Sequence, residues 1–583
     1  MRFVGIINVR DISADITDSI ELRGGYKMAV NIPVGISKFS EIRQNGYYYI
    51  DKTGLIKELL KAGGTKATLI TRPRRFGKTL AMRMLADFFD IEKNSSELFE
   101  GLEICNYPEM CSQWMNRYPT VFISMKDIGG LNFQDAYDQL TLELCNLYGQ
   151  YEFLQNDDAL NDDDKKIFRE IKERNADKAN LSRGLSSLLR MLHKHYKRPV
   201  ILLIDEYDVP VAKAGSNGYY GEMLELIKLM LGTALKDNSD LKFAVITGCL
   251  KIVKESIFTG LNNLVSDTIS SSRFNEYFGF TQNEVDRLLE DAGMTARADD
   301  IKAWYDGYCF GNSEIYCPWD VMNYVRDLQH DPDTRPAGYW KNTSDNAIIR
   351  SFIDYSGASI TKKLETLLSG GYIIQKIDEE ITYDYLHSSE DNLWSIMYLT
   401  GYLTKVKDEL INQMIPDGFS ALKIPNSEIK EIFQTTIIKW FNESAETWNR
   451  QDLFNSVWSA DSEKLTEEMT ALLRKTISYH DYKEDFYHAF LAGIFAGAGY
   501  QVESNKEHGE GRSDVVVSDP VNARIAIFEV KYSKAMDKMK SDCEAALHQI
   551  DERLYAEEYR DDYDTIICYG ISFFKKRCLV KKK

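Results

Sequence analysis

The stretch Ala67-Thr-Leu-Ile-Thr-Arg-Pro-Arg-Arg-Phe-Gly-Lys-Thr-Leu80 decides how this chain is read. A short β-branched run meets a Gly-Lys-Thr and then a helical pattern, in the order strand, tight loop, helix. That order points unpaired backbone N–H groups and the positive end of a helix at one place, where a triphosphate can sit. Lys78 is expected to reach the β- and γ-phosphates, and Thr79 to hold Mg²⁺. The run from Arg72 through Pro73, Arg74, Arg75, Phe76 and Gly77 to Leu80 is therefore assigned to nucleotide binding. It departs from G-x-x-x-x-G-K-[ST] at residue 72, where the first glycine would fall and the chain has arginine. A loop with Pro73 and no early glycine is stiffer, and its guanidinium groups are expected to add bidentate phosphate contacts in place of backbone ones.

A Gly-Lys-Thr alone is a common tripeptide, and a second element gives it weight. Pro199-Val-Ile-Leu-Leu-Ile-Asp-Glu-Tyr207 is a continuous apolar run ending in two acids. This is the pattern of a strand buried on both faces whose carboxyl end carries the charges. In P-loop ATPases the first such acid, here Asp205, binds Mg²⁺ through water. The second, here Glu206, polarises the attacking water. Lys242-Phe-Ala-Val-Ile-Thr-Gly248 reads as a further buried strand, with Thr247 placed like the γ-phosphate sensor of additional-strand ATPases. A strand is expected over 120–125, a helix over 133–148, and a solvated acidic loop over 155–164. Strands alternating with helices, with the chemistry at strand ends, predict a doubly wound parallel sheet. From Thr281 the pattern turns helical, and residues 331–475 show only short strand-like pieces at 402–406 and 421–424.

Composition bounds the partners. The chain has 583 residues, enough for three to five domains of ordinary size, and 44% hydrophobic content supplies real cores. Its 71 basic and 89 acidic residues give a net charge of −18, so the surface as a whole repels nucleic acid. From Gln501 to Lys583 there are 15 Lys/Arg and 16 Asp/Glu, or −1, which leaves −17 for the other 500 residues. Nucleic-acid contacts are thus expected at the C-terminal end. Nine cysteines show no C-x-x-C and no zinc spacing, which fits a reducing cytoplasm. The apolar run at 490–499 is half a membrane span, so no membrane association is expected, and nothing indicates an oligomer.

Several further stretches carry a likeness. Tyr-Ile-Asp-Lys-Thr53, Arg72-Pro-Arg-Arg-Phe-Gly-Lys-Thr79, Leu203-Ile-Asp-Glu-Tyr207, Thr247-Gly-Cys-Leu-Lys251, Gly260-Leu-Asn-Asn263 and Trp304-Tyr-Asp-Gly-Tyr308 stand in this order. The chain resembles bacterial AAA-ATPase-like proteins that end in a PD-(D/E)XK nuclease-superfamily domain, over nearly everything after Met28. In that family Arg-Pro-Arg-Arg-Phe-Gly-Lys replaces the first glycine, so the arginine at 72 becomes evidence of membership. The resemblance implies an α/β fold: an additional-strand P-loop NTPase parallel sheet with a helical lid, followed by a C-terminal α/β restriction-endonuclease-like domain. It implies ATP and Mg²⁺ as cofactors.

The last hundred residues hold a second set of acids: Glu484, then Asp514 opening Val515-Val-Val517, then Glu529-Val-Lys531. Glu529 and Lys531 share a face because alternate strand residues point the same way. The run after Asp514 is expected to pair with their strand as a hairpin. Carboxylates of Asp514 and Glu529 converging on one point would hold Mg²⁺, or Mn²⁺, while Lys531 orients or deprotonates water. Glu484, on the preceding helix, would complete the cluster. The order Glu484, Asp514, Glu529-x-Lys531 and a helix with Gln549 resembles the PD-(D/E)XK core. Lys506 and His508 replace the arginine and serine of the family's Ser-Asn-Arg-Glu-Ser-Gly.

The expected architecture is an extension at 1–27, an ATPase-like domain at 28–280, a helical lid and connector at 281–475, and a nuclease-like domain at 476–583. The expected activity is ATP hydrolysis joined to metal-dependent cleavage of nucleic acid, DNA first, under nucleotide control. The alternative, favoured by the charge of −18, is a nucleotide-switched protein whose nuclease-like domain binds nucleic acid or protein without cutting.

Overall fold

The computed structural model describes residues 30–61, 65–251, 264–340, 363–364, 366–380, 390–411, 414–445, 451–476, 484–496, 500–508, 511–560 and 562–583. Residues 1–27, expected as an extension, and the Gly260-Leu-Asn-Asn263 motif lie outside them. Five strands, β1 (Ala67–Thr71), β2 (Thr120–Ser124), β3 (Val200–Asp205), β4 (Leu241–Gly248) and β5 (Leu264–Asp267), form one sheet in the order β2-β3-β4-β1-β5. Every pairing in it is parallel. Because β4 lies between the loop strand β1 and the acid strand β3, this is the additional-strand arrangement. Every residue of β1 and β3 is buried. The apolar runs have no polar face because the pleat feeds two cores: Val200, Leu202 and Ile204 enter one, and Ile201 and Leu203 the other.

One local reading needs correction. The acidic stretch at 155–164 is not all solvated loop. Asn161 caps the helix Asp162–Lys172, and Asp164, buried in its first turn, pairs with Arg190 and Lys194. Three carboxylates in that first turn face the positive helix end, which explains why an acidic run folds there.

The region after the first sheet is less purely helical than its sequence suggests. Helices Gln282–Ala292, Ala298–Tyr305 and Pro318–His330 surround a hairpin of β6 (Tyr308–Phe310) and β7 (Ser313–Ile315). A small antiparallel sheet follows, built from β8 (Ile373–Lys376), β9 (Thr404–Lys405) and β10 (Phe419–Lys423) in the order β8-β10-β9. The C-terminal sheet has the order β11 (Gln501–His508), β12 (Gly511–Asp519), β13 (Arg524–Tyr532), β14 (Thr565–Phe574), β15 (Arg577–Lys582). It is mixed, with β13 and β14 parallel and the other pairs antiparallel. The hairpin expected after Asp514 is β12–β13, with Val515 opposite Phe528.

One apolar core runs from Phe76 in the glycine-lysine loop through Tyr308, Trp340, Tyr402 and Phe433 to Phe490, Val515 and Phe528 of the C-terminal domain. The lid is therefore continuous with both ends of the chain. Among the described residues no helix is long and apolar enough to cross a membrane. All nine cysteines are free thiols.

Candidate functional site

At the carboxyl end of β1 the chain turns through Arg75 (φ 72°) and Gly77 (φ 81°) into the helix Lys78–Phe89. The left-handed backbone at 77 is the reason for glycine there. The Lys78 ammonium is buried and donates to Arg72 O (2.9 Å) and Pro73 O (2.7 Å), so it is folded back across the mouth of its own loop. Next to it the Thr79 hydroxyl donates to Asp205 Oδ2 (2.7 Å), and the Thr247 hydroxyl donates to the other oxygen, Oδ1 (2.7 Å). Asp205 is fully buried. One carboxylate thus ties the helix that follows the loop to the ends of β3 and β4, where Ile204 stands opposite Ile246.

Glu206 follows with φ 54°, a left-handed backbone that a non-glycine residue adopts only under constraint from its surroundings. Burial raises its carboxyl pKa, the Lys78 charge opposes that, and Asp205 and Asp208 add to it. Asp208 is itself buried and accepts from the Cys249 and Leu250 N–H groups, both at 2.9 Å. It fixes the segment after Thr247. A cavity of about 570 Å³ opens over these groups. Residues 74–81, Glu206, Lys126, Lys213 and Cys249 line one part of it, and Val34, Ile36, Phe280, Trp319 and Met322 line an apolar part. A lining that combines cations with apolar and aromatic walls suits the triphosphate and base of a nucleotide.

The loop residues divide sharply. Arg74 and Arg75 are exposed, and Arg75 lies 4.2 Å over the Trp319 ring. Leu80 is half-buried and packs against the core beneath the helix. Pro73 and Phe76 face inward, Phe76 edge-on to Tyr308 at 4.9 Å. Arg72 is fully buried and does not face the cavity. Its Nη1 donates to the carbonyls of Thr71 (2.8 Å), Asp267 (3.1 Å) and Thr268 (2.8 Å), and Nη2 to Arg273 O (3.3 Å). Burial pulls its pKa down to about 10, so it stays charged at neutral pH. The expected bidentate phosphate contact is not what the geometry of Arg72 provides; the guanidinium stitches β1 to the segment after β5. Its backbone N–H meanwhile bonds Gly248 O, leaving the role of an early glycine to a pinned side chain.

The lid holds the loop from the far side. The Trp340 indole donates to Arg74 O at 3.5 Å, and the Trp340 backbone N–H donates to Glu428 Oε1 at 2.7 Å. Glu428 and Asp320 are both fully buried and lie side by side in the first turns of helices Ser427–Ala445 and Pro318–His330. Burial raises both carboxyls, and their contact raises Glu428 further, so the pair retains a proton. The helix Ser427–Ala445 packs on the helix Glu484–Ala496 of the C-terminal domain. Nothing in local sequence pattern marks this pair, since each acid looks like an ordinary first-turn residue.

In the C-terminal sheet Glu529 is fully buried, and the Lys531 ammonium donates to its Oε1 at 3.1 Å. Asp514 Oδ2 accepts the Val530 N–H at 2.7 Å, which brings the acid of β12 against the middle of the Glu529-Val-Lys531 run. His488 Nε2 stands 3.4 Å from the same oxygen. The Tyr555 hydroxyl, whose pKa burial raises, is held by Gln549 and feels the charges of Glu529 and Asp514. Glu484 heads its helix, and its side chain lies outside the described residues, as do those of Lys506 and His508. Among the described residues no group of three or more His, Cys, Asp and Glu stands assembled for a metal. Buried carboxylates beside a lysine nonetheless suit a hard divalent cation, as do the Thr79 hydroxyl and Asp205 carboxylate at the first site.

The fold and first site define a P-loop NTPase-type module of the additional-strand kind, joined to a second α/β sheet that carries an aspartate and a Glu-x-Lys. Residues 33–258 match the family model described as predicted AAA-ATPase, and residues 482–583 match that of the PD-(D/E)XK nuclease superfamily. The chain has this two-domain architecture. A protein of Azotobacter chroococcum mcd 1, described as an uncharacterized protein in the vnfD 5′ region, is 26% identical over 556 residues, covering 93% of this chain and 96% of that one.

Proposed function

We propose that the N-terminal module, residues 28–280, binds and hydrolyses ATP, and that residues 476–583 cleave nucleic acid, DNA first, under control of the nucleotide through the lid at 281–475. The observation that carries the reading is the double hydrogen bond of buried Asp205 to Thr79 and Thr247, with Thr79 itself lining a cavity that Lys78 and Glu206 also line. On ATP binding Lys78 exchanges the carbonyls of Arg72 and Pro73 for the β- and γ-phosphates. Thr79 and Asp205 would hold Mg²⁺, which neutralises charge on the phosphates when bound. Glu206 orients the attacking water, and Thr247 reports on the γ-phosphate through Asp205. Arg74, Arg75 and the N–H groups of Phe76, Gly77 and Leu80 complete the cradle.

At the C-terminal site Asp514 and Glu529, with Glu484, would hold Mg²⁺ or Mn²⁺, which activates water and stabilises charge on the phosphodiester when bound. Lys531 holds the water or the phosphate oxygen. The route between the sites is the single core from Phe76 to Phe528 and the helix Ser427–Ala445, whose first turn sits under the loop. ATP turnover by the full chain, compared with Asp205→Asn, tests the first half: turnover that survives Asp205→Asn overturns it.

A second reading, an ATP-switched binding protein that does not cut, is favoured by the net charge of −18 and the lack of a preassembled metal cluster among the described residues. A panel of single- and double-stranded DNA and RNA with Mg²⁺ or Mn²⁺ separates the two: retention without cleavage under every condition selects binding.

A further inference from the structure

His488 is a buried part of the second site that the acid and lysine pattern does not account for. It lies four residues into the helix Glu484–Ala496 and is only 7% exposed. Neither ring nitrogen has a hydrogen-bond partner among the described residues. A buried polar group is ordinarily paired, and one left alone at a functional site calls for a ligand that the site takes up. The ring is aimed at Asp514: Nε2 lies 3.4 Å from Oδ2, beyond ordinary hydrogen-bond length, and that oxygen already accepts the Val530 N–H. Two donors that each sit about 2.1 Å from one cation stand roughly 3.0 to 3.4 Å apart, depending on the angle between them. The separation of Nε2 and Oδ2 falls in that range.

We infer that His488 Nε2 is a ligand of the divalent cation that Asp514 and Glu529 would hold, three groups that do not stand preassembled as a cluster in this structure, so that the centre has a mixed nitrogen and oxygen donor set. The inference rests on the metal-dependent reading of the C-terminal site and adds to it a choice of metal. Mg²⁺ is served best by oxygen, whereas an imidazole donor favours transition ions. The centre therefore takes Mn²⁺ in preference to Mg²⁺, while the Thr79 and Asp205 pair of the ATPase module, with oxygen donors alone, keeps the ordinary preference for Mg²⁺. The same chain would then separate its two metals by ligand chemistry. A histidine serving only as packing would leave both sites with the same order of preference.

The test uses the full-length, nucleotide-free protein with Mn²⁺ as the probe. Electron spin-echo modulation of bound Mn²⁺ reads directly bound nitrogen, and protein grown with ¹⁵N-histidine identifies that nitrogen without any substitution. A histidine-nitrogen coupling is expected that changes on ¹⁵N labelling and vanishes in His488→Gln. Mn²⁺ affinity should fall about tenfold or more in His488→Gln, with a smaller change for Mg²⁺. ATP binding at the other module reports that His488→Gln is folded, and His488→Asn serves if it is not. Mn²⁺ that is bound, and lost in Asp514→Asn, yet shows no histidine nitrogen overturns the role of His488 and leaves the metal site standing. A coupling that persists in His488→Gln assigns the nitrogen to another histidine and also overturns it. If Asp514→Asn releases no Mn²⁺ at all, the metal-dependent reading fails together with the inference.

Discussion

Arg72→Met asks what the arginine at the missing-glycine position does. Methionine keeps the apolar stem that passes by the Phe278 and Phe310 rings but removes every donor. Four bonds of 2.8 to 3.3 Å to the carbonyls of Thr71, Asp267, Thr268 and Arg273 are lost. At about 1.5 kcal/mol for each bond from a charged donor, less the desolvation regained by removing a buried guanidinium, the net cost is about 3 kcal/mol. With an m-value of about 3 kcal/mol per molar urea for a module of this size, the midpoint should fall by about 1 M. Urea unfolding of the full chain, followed by the fluorescence of tryptophans that include Trp114 beneath the first sheet, reads this, with exposed Arg74→Met as the comparison. ATP affinity of the folded Arg72→Met protein should stay close to the parent's. A midpoint that does not move, together with a large loss of ATP affinity, would show that the guanidinium serves phosphates and that its carbonyl contacts are incidental.

Lys78→Ala should abolish ATP binding in equilibrium titration, because it removes the buried ammonium that bridges the Arg72 and Pro73 carbonyls across the loop mouth. Glu206→Gln should bind ATP and retain it through a chase, with turnover reduced by about two or more orders of magnitude, since the amide cannot accept the water's proton. The buried Asp320 and Glu428 carboxyls have raised folded pKa values, so the folded state keeps a proton that the unfolded chain releases above its ordinary carboxyl range. The stability this contributes is present below the unfolded pKa and is lost as pH rises through the raised folded value. Parent protein should therefore lose thermal stability between about pH 5 and pH 8 relative to Glu428→Gln, whose amide stays neutral; parallel pH profiles would contradict the shared proton.

The additional-strand sheet was legible because its evidence is local: β3 is an apolar run up to its final acid, β1 is a short β-branched run, and Asp205, Glu206 and Thr247 sit at the ends of β3 and β4. Alternation likewise placed Glu529 and Lys531 on one face, as their 3.1 Å contact bears out. Arg72 was misread because a guanidinium beside a phosphate loop and one buried among carbonyls look the same in one dimension. What separates them is the approach of residues 267, 268 and 273, nearly 200 positions away. In the small sheet β8-β10-β9, the strand-like pieces at 402–406 and 421–424 correspond to β9 and β10, while β8 has no such signal: a strand of four residues carries too few alternations to outvote the helical periodicity around it. The Asp320–Glu428 pair and His488 are properties of burial, and no spacing rule joins helices more than 100 residues apart.

Nuclease rate against nucleotide state tests whether the ATP site governs cleavage at the other end of the chain. Full-length protein, with Mn²⁺ and Mg²⁺ present, would be assayed on a DNA substrate without nucleotide, with ADP, with ATP and with a non-hydrolysable analogue, beside Glu206→Gln and the dead control Asp514→Ala. The account predicts that the ATP-held states, including Glu206→Gln, differ from the nucleotide-free and ADP states by about tenfold or more, which corresponds to a preference of roughly 1.4 kcal/mol between two conformations. Asp514→Ala should cut nothing while turning over ATP normally. Equal cleavage in all four nucleotide states would contradict the account.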